Sequence, residues 1–158
     1  MNLPRRTFLK GIFATGGAMA LGTTVLPQNV MADWQTAVEA KSVTEAQKAL
    51  FEGAEITEIT DEKVIAIKLP EIAENGQVVP IEVTTNLEKL ESITILAEKN
   101  TVPLVAQFNF PDPEKTVGSV KTRIKIAKTS NVVAVVKAKG QLYAARRELT
   151  VTLGGCGG

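Results

Sequence analysis

The stretch that decides the fold reads Lys121-Thr122-Arg123-Ile124-Lys125-Ile126. Its apolar side chains recur with a period of two, which places Ile124 and Ile126 toward a core and the three cations toward solvent. Such alternation is typical of an antiparallel strand with one buried face. Residues 149–153 alternate in the same way, so the sequence predicts a second strand of this kind near the C-terminus.

The same period extends outward along the chain from residue 55. It predicts eight short strands, which cover residues 55–60, 63–69, 79–85, 90–98, 104–110, 119–127, 132–137 and 141–153. Asn75-Gly76 and Lys139-Gly140 supply residues that tolerate positive φ in the turns between strands. We therefore expect a mainly β protein, an immunoglobulin-like antiparallel β-sandwich.

The segment before the strands has helical spacing instead. Ser42-Val43-Thr44-Glu45 forms a capping box, and apolar residues follow it at helical intervals up to Phe51. An earlier helical turn is marked by Trp34, Ala37 and Val38. The sandwich is therefore expected to carry an N-terminal helix.

Composition excludes several classes of function. A chain of 158 residues with 44% hydrophobic content supports one domain with one core. Its 18 basic and 17 acidic residues leave no strongly basic domain, which argues against a nucleic-acid partner. The chain has no histidine and one cysteine, so a thiolate or histidine metal site and Cys-His catalysis are excluded. We predict no cofactor and no metal.

The N-terminal segment has the pattern of an export signal. Arg5-Arg6 opens it, an uncharged stretch follows from Gly11 to Leu26, and Val30-Met31-Ala32 resembles a cleavage site. We expect a twin-arginine signal peptide over residues 1–32, cleaved after Ala32, that delivers the domain of residues 33–153 to the periplasm. The alternative, a buried or membrane-anchoring helix, is disfavoured because about 16 residues are fewer than the roughly 20 that span a bilayer.

The C-terminal segment reads Gly154-Gly155-Cys156-Gly157-Gly158 and contains the one cysteine. Four glycines around a thiol cannot pack a core or favour a helix or strand, so we expect a flexible swinging arm over residues 154–158. In an oxidising compartment an odd cysteine is either a free reactive thiol or an interchain bond. Two functions remain open: a carrier that uses Cys156 as its attachment point, and an exported interaction module cross-linked through that cysteine.

This terminal motif and three internal segments together resemble the SoxY family, the sulfur carriers of the periplasmic thiosulfate-oxidising Sox system. The internal segments are Leu69-Pro70-Glu71-Ile72-Ala73-Glu74-Asn75-Gly76, Val105-Ala106-Gln107-Phe108-Asn109-Phe110 and Thr122-Arg123-Ile124-Lys125. The resemblance implies a carrier and not an enzyme. It also implies covalent sulfur attachment at Cys156, on an arm formed by Gly154, Gly155, Gly157 and Gly158.

The resemblance further implies a set of partners. A SoxZ-like subunit, itself a β-sandwich, would form a heterodimer or higher complex with this chain. A c-type cytochrome, SoxAX, would join thiosulfate covalently to the cysteine, and the hydrolase SoxB would release sulfate. A sulfane-sulfur oxidase, SoxCD, would act where it is present. The thiol has no cation beside it in the sequence, so these enzymes are expected to activate it.

Two surface questions remain open at the level of sequence. Six basic residues either form a docking face for acidic partners and oxyanions or belong to ordinary solvated strands: Lys121, Arg123, Lys125, Lys128, Arg146 and Arg147. The apolar pairs Val132-Val133 and Val135-Val136 fit either a buried central strand or part of a partner interface.

Overall fold

The computed structural model describes residues 33–152 of the chain. They form two helices, α1 (Trp34–Glu39) and α2 (Val43–Phe51), followed by nine strands. The strands are β1 (Ile56–Glu58), β2 (Ile65–Lys68), β3 (Ile72–Ala73), β4 (Val79–Thr85), β5 (Leu90–Ala97), β6 (Leu104–Asn109), β7 (Ser119–Ile124), β8 (Ser130–Ala138) and β9 (Gln141–Val151). The predicted signal peptide and the predicted arm lie outside the described residues.

The strands form two sheets that pack face to face. The larger sheet has the order β1-β9-β8-β5-β6, and β3 pairs with the end of β9. The smaller sheet has the order β2-β4-β7. All pairs are antiparallel except β1 with β9 and β3 with β9, which are parallel. The predicted mainly β, immunoglobulin-like sandwich is confirmed, with a parallel edge along β9 that the sequence pattern did not predict.

Strand β7 shows why the alternating stretch fixes this fold. Val120 and Ile124 are buried in the core between the sheets, whereas Lys121 and Arg123 on the same strand are exposed. Strand β7 pairs with β4, which buries its own alternate residues in the same core. The period of two therefore sorts the side chains between core and solvent, as predicted.

Strand β8 is buried on both faces. Val132 and Val136 lie in the core between the sheets. Val133 and Val135 point the opposite way and pack with residues of helix α2 and the segment before it. The helices thus form a third layer over the outer face of the larger sheet. The apolar run in β8 is a buried central strand, which decides the question of the valine pairs against a partner interface.

The predicted N-terminal helix is present as two short helices. Ala40 ends α1 with an extended ψ of 143°. Ser42 then caps α2, because its side chain accepts a hydrogen bond from the Glu45 amide at 3.2 Å. The Glu45 carboxylate accepts in return from the Lys41 amide at 2.8 Å, one residue before the position that the capping-box pattern predicts.

The strand predictions differ from the structure mainly at strand ends. The prediction missed β3, and β7 ends at Ile124 instead of residue 127. Both turn residues of the hairpin between β8 and β9 have positive φ, 51° at Lys139 and 72° at Gly140, as the sequence predicts. Asn75-Gly76 also lies in a turn between strands, but Gly76 does not have positive φ there. Its lack of a side chain matters for close packing instead.

Within residues 33–152, neither helix reaches the length and apolar character that crossing a bilayer requires.

The two buried faces of β8 lead to a stability prediction. We expect Val132→Ala and Val133→Ala each to lower the free energy of unfolding by about 2 kcal/mol, since each leaves a cavity in a different packed layer. Urea unfolding of the two variants measures this. Val117→Ala is the matched control because Val117 is 78% exposed, and it should change stability little. A near-zero effect for Val133→Ala would contradict the helix layer described here.

Candidate functional site

Strand β9 ends in a fixed position at one end of the sandwich. The Thr129 hydroxyl accepts a hydrogen bond from the Val151 amide at 2.9 Å and lies 3.3 Å from the Val151 carbonyl oxygen, to which it donates. The Thr152 amide donates to the Ala73 carbonyl at 3.1 Å. We call Val151 and Thr152 the arm root, because they are the last described residues before the segment that contains Cys156.

A glycine closes the loop beside the arm root. The Ile126 amide donates to the Gly76 carbonyl at 2.7 Å. A Cβ atom at Gly76 would overlap the Ile126 carbonyl oxygen and would lie 3.1 Å from the Val151 side chain. Only glycine allows three chain segments to meet here, so Gly76 is required for a close approach.

The predicted arm lies wholly outside the described residues. Cys156 and the four glycines of the motif therefore remain sequence predictions. Thr152, the last described residue, is exposed. The anchoring of β9 thus fixes the position of the residue at which the described chain ends.

The six basic residues do not form one face. Arg146 is paired with Glu58 and Glu98, at 2.9 Å in each case, and Arg147 is 3.5 Å from Glu62. The hydrogen bond from Arg146 to Glu58 is the main reason that the pKa of the guanidinium is raised, and partial burial opposes this effect. These two arginines therefore form ion pairs with acidic residues of the larger sheet and of the loops beside it.

The other four basic residues fall into two pairs, one beside the end of β9 and one on the smaller sheet. Lys125 and Lys128 lie on either side of Ile126, whose amide donates a hydrogen bond to the Gly76 carbonyl. Thr129, which accepts from the Val151 amide, comes directly after Lys128. Lys121 and Arg123 project from the outer face of the smaller sheet. The question of the six basic residues thus has a divided answer, because they belong to three separate parts of the surface.

Lys121 and Arg123 line a concavity of about 490 Å³ on the outer face of the smaller sheet. Its other charged lining residues are Lys68 and Glu82. The Glu82 carboxylate lies 3.6 Å from the Lys68 ammonium and 3.3 Å from that of Lys121. Two lysines thus flank one carboxylate, and Arg123 adds a third cation to the same concavity. Arg123 has no ion pair with any residue in the range 33–152.

Sequence reasoning missed three residues of this region. Lys68 lines the concavity because of the register of the smaller sheet. Glu82 on β4 lies opposite Lys68 on β2 and opposite Lys121 on β7. That cross-strand register is the only signal that would have found it. Thr129 and the structural role of Gly76 depend on contacts with distant segments, and no local pattern marks them.

The fold and the arm root define a class of protein: a two-sheet β-sandwich with a helix layer on one face, whose last strand is held at its end by hydrogen bonds. The family model for the sulfur oxidation protein SoxY matches residues 47–156. The chain belongs to the SoxY family of sulfur carrier proteins.

Solved structures support the same assignment. The sulfur carrier protein SoxY from Chlorobium limicola f thiosulfatophilum is 41% identical, with a TM-score of 0.59. The alignment covers 71% of this chain and 97% of that one. A superoxide reductase (neelaredoxin) from Ignicoccus hospitalis has 18% identity and a TM-score of 0.51 over 61% of this chain and 95% of its own. This second likeness shows the sandwich fold alone. A search of curated proteins found no match.

The Thr129 hydroxyl is expected to control the order of the arm root. Thr129→Val removes the acceptor of the Val151 amide, so we expect amide hydrogen exchange at Val151 to become about fivefold faster, as one lost hydrogen bond implies. Thr129→Ser keeps the hydroxyl and should retain the slow exchange. Unchanged exchange in the valine variant would show that the β9 ladder alone holds this end.

Gly76 is expected to tolerate no side chain. We predict that Gly76→Ala lowers the free energy of unfolding by about 1–3 kcal/mol, because the new methyl group meets the Ile126 carbonyl. Thermal unfolding measures the effect. The neighbouring exposed residue gives the control, Gln77→Ala, for which little change is expected. Equal stability of Gly76→Ala and Gln77→Ala would contradict the close approach.

Proposed function

We propose that the protein is a periplasmic carrier that holds thiosulfate-derived intermediates covalently on Cys156 and presents them to the enzymes of thiosulfate oxidation. Membership of the SoxY family supports the general role of sulfur carrier. The single observation that supports the position of the site is the anchored arm root. Val151 and Thr152 are hydrogen-bonded to the body of the protein, and Cys156 follows Thr152 by four residues in the sequence.

The proposed chemistry at Cys156 is an oxidative conjugation. The cysteine thiol and thiosulfate form a new S–S bond, which gives a cysteine S-thiosulfonate that carries one negative charge on its sulfonate. The step releases one proton and two electrons, which a c-type cytochrome of the SoxAX type accepts. A hydrolase of the SoxB type then adds water and releases sulfate, and the remaining sulfur stays on Cys156 as a persulfide.

The chain itself supplies a handle and not a catalyst in this scheme. No histidine is present in the sequence, and Cys156 is its only cysteine. The Gly-Gly-Cys-Gly-Gly segment carries no bulky side chain beside the thiol, so it suits a narrow entrance to an enzyme pocket. The receiving enzyme thus provides the groups that activate the sulfur.

Export and partner binding belong to the same proposal. Residues 1–32 would act as a twin-arginine signal that is removed after Ala32. A SoxZ-like subunit would bind this domain before export, since the twin-arginine route carries folded assemblies. Where SoxCD is present, it would oxidise the sulfane sulfur left on the arm.

Intact mass spectrometry tests the covalent role. After incubation with thiosulfate and a SoxAX-type cytochrome, the purified protein should gain the mass of one S2O3 group, and Cys156→Ser should gain nothing. Thr129→Ser is a suitable positive control, because it leaves the thiol intact. Formation of only a disulfide-linked dimer, with no adduct under conditions that load a known SoxY protein, would favour the cross-linked interaction module instead.

A further inference from the structure

The concavity of Lys68, Lys121 and Arg123 lies at the end of the sandwich from which the arm extends. Strand β2 ends at Lys68, β4 begins at Val79 and β7 ends at Ile124, so these three strand ends share one end of the smaller sheet. After β2, the chain passes through Leu69 and Pro70, which line the concavity, and then forms β3 against the end of β9.

The distances place this concavity within reach of the thiol. Ala73 is hydrogen-bonded to Thr152 and lies three residues after Pro70, so at most about 11 Å of chain separates the two. Cys156 lies four residues beyond Thr152, which allows an extension of about 14 Å. A sulfur group on Cys156 can therefore reach the rim without any movement of the sandwich.

The charge of the concavity is opposite to that of the proposed cargo. Glu82 is already neutralised by two lysines, and its side chain is only 22% exposed. Lys121 remains 72% exposed, and Arg123 is exposed with no ion pair in the range 33–152. Three cations against one carboxylate leave a surplus of positive charge. A planar guanidinium matches the oxygen atoms of a sulfonate group.

We propose that this concavity is the resting site of the chain's own C-terminal segment, residues 153–158, when Cys156 carries an anionic sulfur group. Lys121 and Arg123 bind the sulfonate, while Leu69, Pro70 and Pro80 form the apolar wall beside the glycines. Cysteine without cargo lacks the sulfonate and is held less. The loaded arm thus rests against its own sandwich until an enzyme takes it.

This inference rests on the proposed function for the identity of the cargo, but its test does not need the cytochrome. Methanethiosulfonate reagents attach either an anionic sulfonatoethyl group or a cationic trimethylammonioethyl group to Cys156 through a disulfide bond. The sulfonatoethyl group imitates the charge of the loaded arm. Failure of the thiosulfate reaction and failure of arm docking therefore give separate results.

Amide NMR of the purified protein reports the docking. The sulfonatoethyl group should shift the amide signals of Lys121, Thr122 and Arg123, whereas the trimethylammonioethyl group should not. The amide of Lys89, at the opposite end of the sandwich, should not respond to either. Addition of about 0.5 M NaCl should reduce the shifts, because it screens exposed charges.

Paired variants identify the side chains. In Lys121→Gln/Arg123→Gln the shifts should disappear, and a neutral thiol reductant should remove the sulfonatoethyl group about two- to fivefold faster than from the unmodified sequence. Lys89→Gln/Lys139→Gln also removes two cations, from the opposite end, and should behave like the unmodified sequence. Lys121→Arg/Arg123→Lys keeps both charges and should retain the shifts.

Three results would overturn the proposal. Equal shifts with the two tags would show that charge does not direct the arm. Shifts confined to the arm root would show that the segment does not reach the concavity. Loss of binding to a SoxZ-like subunit in Lys121→Gln/Arg123→Gln, with no tag-dependent shift in the unmodified sequence, would assign the concavity to the partner protein instead.

Discussion

The burial of β8 on both faces is the constraint on which the rest of the structure depends. Its valines alternate between the core of the sandwich and the helix layer, so both layers are fixed by one strand. Strand β9 pairs with β8 along nine residue pairs, from Ala138 opposite Gln141 to Ser130 opposite Leu149. The position at which β9 leaves the sheet, and with it the arm root, therefore follows from the placement of β8.

The sequence was sufficient for those parts of the fold that have a repeating local pattern. Alternation in β7 sorted its side chains correctly, and the Ser42 cap marked the start of α2. Strand β3 has two residues and pairs in parallel with a strand about 80 positions away, so no local period identifies it. The role of β8 was ambiguous because a continuous apolar run fits a central strand and an interface equally well.

In the candidate site, too, the sequence shows the features that have a local pattern and not those that depend on distant contacts. The thiol at position 156 is evident from the sequence because glycines on both sides leave it no structural role. What anchors the arm root is not evident from the sequence, since Thr129 and Gly76 act through contacts with residues far along the chain. In the sequence, nothing distinguishes Arg146 and Arg147 from the other basic residues. In the fold, both form ion pairs with acidic residues of the larger sheet and its loops. Tertiary pairing, and not residue type, decides which cations remain free.

Under the proposed function, the hydrogen bonds of Val151 and Thr152 have a consequence for encounter rates between the carrier and its enzymes. Four residues of chain span at most about 14 Å, and one molecule in a sphere of that radius has a concentration on the order of 0.1 M. An enzyme docked beside the arm root would encounter the cargo at about that local concentration, however dilute the carrier is in the surrounding medium. The position of the anchor would then decide where on the protein surface the cargo is concentrated.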